Sequence, residues 1–213
     1  MRTFIKNLFA AALVTVTFSS ATVVANATEN NANYTAITQV KNIGKIVVSG
    51  NVKLILVQDA KESVEVYDQY YTKNALVQQQ GDELRITSFD KKTLIVIAHV
   101  NNLTVIEASN TATVNTAGNF YLINLNVVLN DKASADITAN IVNLSTTVKD
   151  TASLKLTGSS EIHSALIGSG SEIKMDDFTA QESTIKVADK PILANNNKSR
   201  YDDLQVDLLE RLF

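Results

Sequence analysis

The sequence contains no cysteine. That absence excludes disulfides, thiolate metal sites, a cysteine nucleophile and the lipidated N-terminal cysteine of a bacterial lipoprotein. Histidine is nearly absent too: His99 and His163 are the only two, and neither stands near another ligand at metal-binding spacing. Both are read as structural or surface residues, and no metal or cofactor is expected. A serine hydrolase would need a histidine partner, and no G-x-S-x-G elbow is present. Beyond residue 27 no run is long and apolar enough to span a bilayer, so no membrane-spanning segment is expected. There is no basic surplus, since the formal net charge is −3, and this excludes nucleic acid as a partner.

What is present begins with an export signal. Arg2 and Lys6 precede the apolar run 8–16, and Ala25-Asn26-Ala27 closes the segment with an A-x-A cleavage pattern. Residues 1–27 therefore read as a secretory signal peptide. The polar stretch 28–36 reads as a flexible leader. An exported chain without cysteine must draw its stability from apolar packing and ladder hydrogen bonds.

From Lys45 to Tyr67 apolar residues alternate with polar ones, as in Val52-Lys53-Leu54 and Val64-Glu65-Val66. Period two predicts strands, joined by hairpins or tight corners because no residues are left for crossover helices. Further strands are expected at 83–87 and 94–98, the latter buried on both faces because it is apolar without alternation.

From about Leu103 to Leu193 a pattern returns every twenty or so residues. An apolar column (Ala108, Leu129, Val148, Leu166, Val187) is followed two positions later by a turn former (Asn110, Asp131, Asp150, Gly168, Asp189). Behind them come Val114, Ala135, Leu154, Ile173 and Leu193, and a mid-period corner falls at Gly118, Asn140, Gly158 and Asp176. Periods of this length predict a solenoid whose repeats bury their apolar edges against one another. Residues 194–200, centred on three asparagines, read as a linker. In 201–213 the residues Leu204, Leu208, Leu209 and Leu212 fall at helical spacing, which predicts a short C-terminal amphipathic helix that caps the fold or docks on a partner.

At the corners the chain resembles the head GIN domain family of auto-transporter adhesin heads. Leu156-Thr157-Gly158-Ser159-Ser160-Glu161-Ile162 and the segment 166–173 are similar to that family's Leu-Ser-Gly-Ala-Ser-x-Val repeat, and residues 46–66 resemble its N-terminal strands. The resemblance spans about 37–193. It departs where Asn or Asp replaces the corner glycine, and its motif does not include the terminal helix. It implies an all-β fold, a right-handed parallel β-helix/β-solenoid with short strands, and a periplasmic or surface location. It supplies no catalytic residues.

The remaining candidates are few. Tyr67, Tyr70 and Tyr71 form an aromatic cluster that would stack on sugars, anchor a protein or cover the end of the core. The corner acids Asp131, Asp150 and Asp189, with Asp176 and Asp177 nearby, suit turns, with Lys132, Lys149 and Lys190 beside them to offset the charge. They are also the residues that a polysaccharide-active β-helix enzyme would use. Terminal Phe213 lacks the alternating strand of an outer-membrane barrel before it. The expectation is a non-enzymatic envelope adhesion module that presents a Ser/Thr/Asn-rich face to a glycan or protein. The alternatives are the enzyme and an assembly protein that docks through Leu204, Leu208, Leu209 and Leu212, with homo-oligomers left open.

Overall fold

The computed structural model describes residues 40–67 and 75–188, together with the backbone of a short strand at 35–37. The described residues form 13 strands and no helix. In chain order these are β1 (Thr35–Ile37), β2 (Lys45–Gly50), β3 (Val52–Gln58), β4 (Ser63–Tyr67), β5 (Ala75–Gln80), β6 (Glu83–Ser88) and β7 (Leu94–Val100). They continue as β8 (Val105–Ser109), β9 (Thr113–Ala117), β10 (Phe120–Leu129), β11 (Ser134–Val148), β12 (Ser153–Ile167) and β13 (Glu172–Val187). The expected signal peptide 1–27, linker 194–200 and C-terminal helix 201–213 lie outside the described residues, as do 28–34 of the leader. Thr35 and Ala36 belong to β1.

The all-β expectation stands, but the uniformly parallel β-helix/β-solenoid does not. All the strands join one curled sheet of mixed direction. β1 with β4, β4 with β7 and β5 with β6 pair antiparallel, while the other pairings are parallel. Short connections account for the reversals. Gly81-Asp82 is all that separates β5 from β6, and with Gly81 at φ +64° this two-residue turn folds the chain back as a hairpin. A twenty-residue apolar period identifies neighbours across parallel strands and carries no information about strands that turn back.

Corners decide how the sheet curls. β2 and β3 are separated by Asn51 alone and do not pair with each other; β2 lies between β6 and β8, and β3 between β7 and β9. Gly50, at φ +84°, makes that corner. β11 then unites the two arms, pairing with β9 through Ser134–Asp136 and with β10 through 139–148. Inward residues from both arms, among them Ile46, Val48, Leu54, Leu56, Val114 and Leu129, meet in one buried cluster. Each such side chain contributes about 1.5–3 kcal/mol by leaving water.

The rows are in register over much of this core. Ala108, Leu129 and Val148 sit opposite one another, as do Val114, Ala135, Leu154 and Ile173. Leu166 is not in the first row: Ile167 faces Val148 and then Val187, while Leu166 faces Thr147 and points outward. The mid-period column also shifts by one, for Asn140 pairs with Ser159 and Gly158 with Ala139. Strand β7 alternates rather than being buried on both faces, with Ile95 exposed.

Three turn residues adopt left-handed backbone: Asn110, Asp131 and Asp150, at φ of 59°, 59° and 58°. Asp131 Oδ2 accepts the Asn110 N–H at 2.9 Å, and Asp150 Oδ2 accepts the Asp131 N–H at 3.0 Å. Each carboxylate thus secures the turn of the preceding row. Asp150→Ala removes the acceptor of the Asp131 N–H and leaves at positive φ a residue with no polar side chain to bond its own turn, so a loss of about 2 kcal/mol is expected in urea unfolding. Asp150→Gly, which relieves the backbone strain, should lose less.

Candidate functional site

A trough of about 820 Å³ crosses β10, β11, β12 and β13 at right angles to the strands. Each strand supplies three consecutive residues: Tyr121-Leu122-Ile123, Asn140-Ile141-Val142, Ser159-Ser160-Glu161 and Thr179-Ala180-Gln181. The middle residue of each of the first three triplets is buried, so its main chain forms the floor and the flanking side chains form two walls. Pairing makes the first wall continuous, since Tyr121, Asn140, Ser159 and Thr179 are successive partners.

A repeated break in alternation creates this shape. Two consecutive residues face outward at 123–124 and 161–162, and the pairs at 142–143 are likewise not buried. The strands bend there, so the side chains on either side of each buried residue face across the hollow. Asn143 Nδ2 donates to Asn124 Oδ1 at 3.0 Å, and Ser159 Oγ donates to Asn140 Oδ1 at 2.9 Å, linking neighbouring rows. Gln58 closes one end. Its Nε2 donates to the Tyr121 carbonyl at 3.0 Å while its Oε1 accepts the Tyr121 N–H at 2.9 Å, as a neighbouring strand would.

The lining holds one carboxylate, Glu161, and no Lys or Arg. Tyr121 and Ile123 are 67% and 68% exposed, so one end is aromatic and aliphatic while the other is hydroxyl and amide. A second hollow, about 690 Å³, begins across the Asn101-Asn102 turn, which lines both. Glu62 is fixed there by the N–H groups of Ile43 and Asn101, at 3.1 and 3.3 Å.

The residues singled out in the sequence lie elsewhere. Tyr67 is exposed on β4, its hydroxyl donating to Glu65 at 2.9 Å, and it does not line the trough. Tyr70, Tyr71, Leu204, Leu208, Leu209, Leu212, Asp189 and Lys190 lie outside the described residues. Asp131 and Asp150 are engaged by backbone N–H groups, so the offset expected from Lys132 and Lys149 comes from main chain instead. Asp176 and Asp177 are exposed, and no group of three or more metal-ligating side chains occurs among the described residues. His99 Nδ1 lies 3.5 Å from Asp59, whose carboxyl is held below its usual range first by the Lys61 N–H and also by His99.

His163 is fully enclosed. Its Nε2 lies 3.0 Å from Thr146 Oγ1, its ring meets the edge of Phe178 at 5.6 Å, and its Nδ1 has no hydrogen-bond partner. Burial lowers its pKa, so the folded state favours the neutral imidazole. The unfolded chain takes up a proton below about pH 6.5 while the folded chain resists it. Stability should therefore be full above that pH and fall as the pH drops towards the folded value, by at most about 1.4 kcal/mol per pH unit. Urea midpoints of the wild type and His163→Leu, compared between pH 7 and pH 5, should show this slope only in the wild type.

Sequence reasoning missed the trough because its residues are of common polar types: Asn140 reads as a corner and Ser159-Ser160-Glu161 as part of the family's repeat, not as a binding surface. The usable signal was the doubled outward position recurring at 123, 142 and 161.

Comparisons with known proteins agree on the region. A family model described as "Putative auto-transporter adhesin, head GIN domain" matches residues 42–189. Among solved structures the chain is similar to a "putative adhesin" from Bacteroides fragilis, with TM-score 0.61 and 14% identity over 73% of this chain and 76% of that one. It is also similar to a "Putative lipid binding protein" from Parabacteroides distasonis, with TM-score 0.56 and 12% identity over 74% and 79%. A third, a "putative adhesin" from Parabacteroides merdae, has TM-score 0.54 and 16% identity over 74% and 78%. At these identities the likeness is one of fold. No curated protein matches.

Proposed function

Because the chain belongs to the head GIN domain family, we propose that it is an exported, non-enzymatic adhesion module of the cell envelope that holds a glycan in its trough. The trough itself carries this reading. It is an open hollow with side-chain amides, hydroxyls and an exposed aromatic ring, which is the chemistry that recognises sugars. Export is supported by the signal-like pattern of residues 1–27 and by the adhesin names of its structural relatives. The engagement of Asp131 and Asp150 by main chain speaks against the enzyme alternative built on corner carboxylates.

The test is retention of the purified 28–213 chain on isolated cell envelopes, with protease shaving of intact cells to establish surface exposure. Retention that free glycan competes away is expected. Absence of retention on envelopes from the producing cells would overturn the adhesion reading.

A second reading, assembly, is favoured by the outer edge of β13, which pairs only with β12 among the described strands and carries exposed Ile185 and Val187. Leu204, Leu208, Leu209 and Leu212 would supply the docking stripe. Deleting 200–213 should then change oligomer size or envelope retention, and unchanged values for both would remove it.

A further inference from the structure

We infer that the trough takes a neutral, unbranched glycan laid across the strands, with about one sugar for each strand row. This rests on the adhesion reading and narrows it to a ligand class. Four observations lead to it.

The hollow is elongated and periodic. Its rows follow the strand spacing, about 4.8 Å, which is close to the advance per sugar of an extended β-1,4-linked chain. An extended peptide repeats its side chains on one face every 6.6 Å or so and falls out of step within two rows. Nor can a peptide join by main-chain pairing, because the floor lies within the sheet and its backbone is already paired on β10–β12.

Charge narrows the class further. With Glu161 in the lining and no cation, a polyuronate or a nucleic acid would meet an uncompensated carboxylate. An acyl chain would have to lie against Ser159, Thr179 and Gln181, whose polar groups it cannot satisfy.

Polarity is graded along the trough. Tyr121 and Ile123 offer an apolar surface to the C–H face of one pyranose, and the hydroxyls and amides of the later rows meet the equatorial hydroxyls of the rest.

The aromatic end is also fixed in advance. Gln58 holds the Tyr121 main chain through both its N–H and its carbonyl, so only the side chain remains to be ordered on binding.

The test is calorimetric titration of the 28–213 chain with cello- and N-acetylchito-oligosaccharides of two to six sugars, alongside polygalacturonate, an unstructured peptide and phosphatidylcholine vesicles. Affinity for at least one neutral series should rise up to about four sugars and then level off. Tyr121→Ala, altered at an exposed side chain, should weaken it at least tenfold, and Ser159→Arg should abolish it while circular dichroism stays unchanged. The proposal fails if no neutral oligosaccharide binds, if polygalacturonate, peptide or vesicles bind as tightly, or if both variants bind normally. Should Ser159→Arg keep envelope retention while oligosaccharides do not bind the wild type, the trough assignment falls and the adhesion reading stands. Oligosaccharide binding without envelope retention has the opposite meaning.

Discussion

Gly158→Ala is expected to destabilise the protein by about 3 kcal/mol or more, a large share of the roughly 5–15 kcal/mol that holds a domain together. Two costs combine. Gly158 has φ +111°, where a β-carbon is strained, and that carbon would be driven into the carbonyl oxygen of Ala139 on the adjoining strand. Neither group can move aside, because Ala139 is paired with Phe120 on its other side and Gly158 with Phe178. Gly118→Ala provides the control: φ there is +84°, but an added β-carbon would find nothing within 4 Å. It should show only the conformational cost, about 1–2 kcal/mol. Similar urea midpoints for the two variants would mean that β11 and β12 do not approach as described.

Leu129→Ala should cost about 4 kcal/mol, towards the upper end for a buried leucine. The side chain is fully enclosed at the end of β10, with Ala108 of β8 opposite on one side and Val148 of β11 on the other. Flanking strands tied by ladder hydrogen bonds cannot close over the vacated volume, so the hole persists. Leu166→Ala, one position out of register and 38% exposed, should cost under about 1 kcal/mol. Equal losses at the two positions would show that the row runs through Leu166 and not Ile167.

Leu166 illustrates how far the sequence could be read. Spacing near twenty residues correctly joined Leu129 to Val148 and Ala135 to Leu154, because buried rows admit only apolar side chains. In Ala165-Leu166-Ile167, however, any of three neighbouring residues could fill the row, and a slip of one position reverses inside and outside. The left-handed turns at Asn110, Asp131 and Asp150 were legible because those residue types tolerate the conformation. Strand direction was not, since alternation is the same in a parallel and an antiparallel partner, and β4 and β5 carried no mark of reversal beyond short connections. The trough was least legible of all. Its walls depend on where four strands bend together, and Asn140, Ser159 and Thr179 taken singly look like ordinary surface residues.

A hollow made from one residue triplet per strand behaves as a ruler. Its reach is set by the number of strands laid side by side, so inserting or removing one repeat lengthens or shortens the grip by a single increment without redesigning any subsite. Fraying of β13 would take away Thr179 and Gln181, the terminal graduation, before the Tyr121 end was touched. A long polymer held there would act as a splint across all four strands, resisting the peeling that a pull on the C-terminal side of the sheet would start.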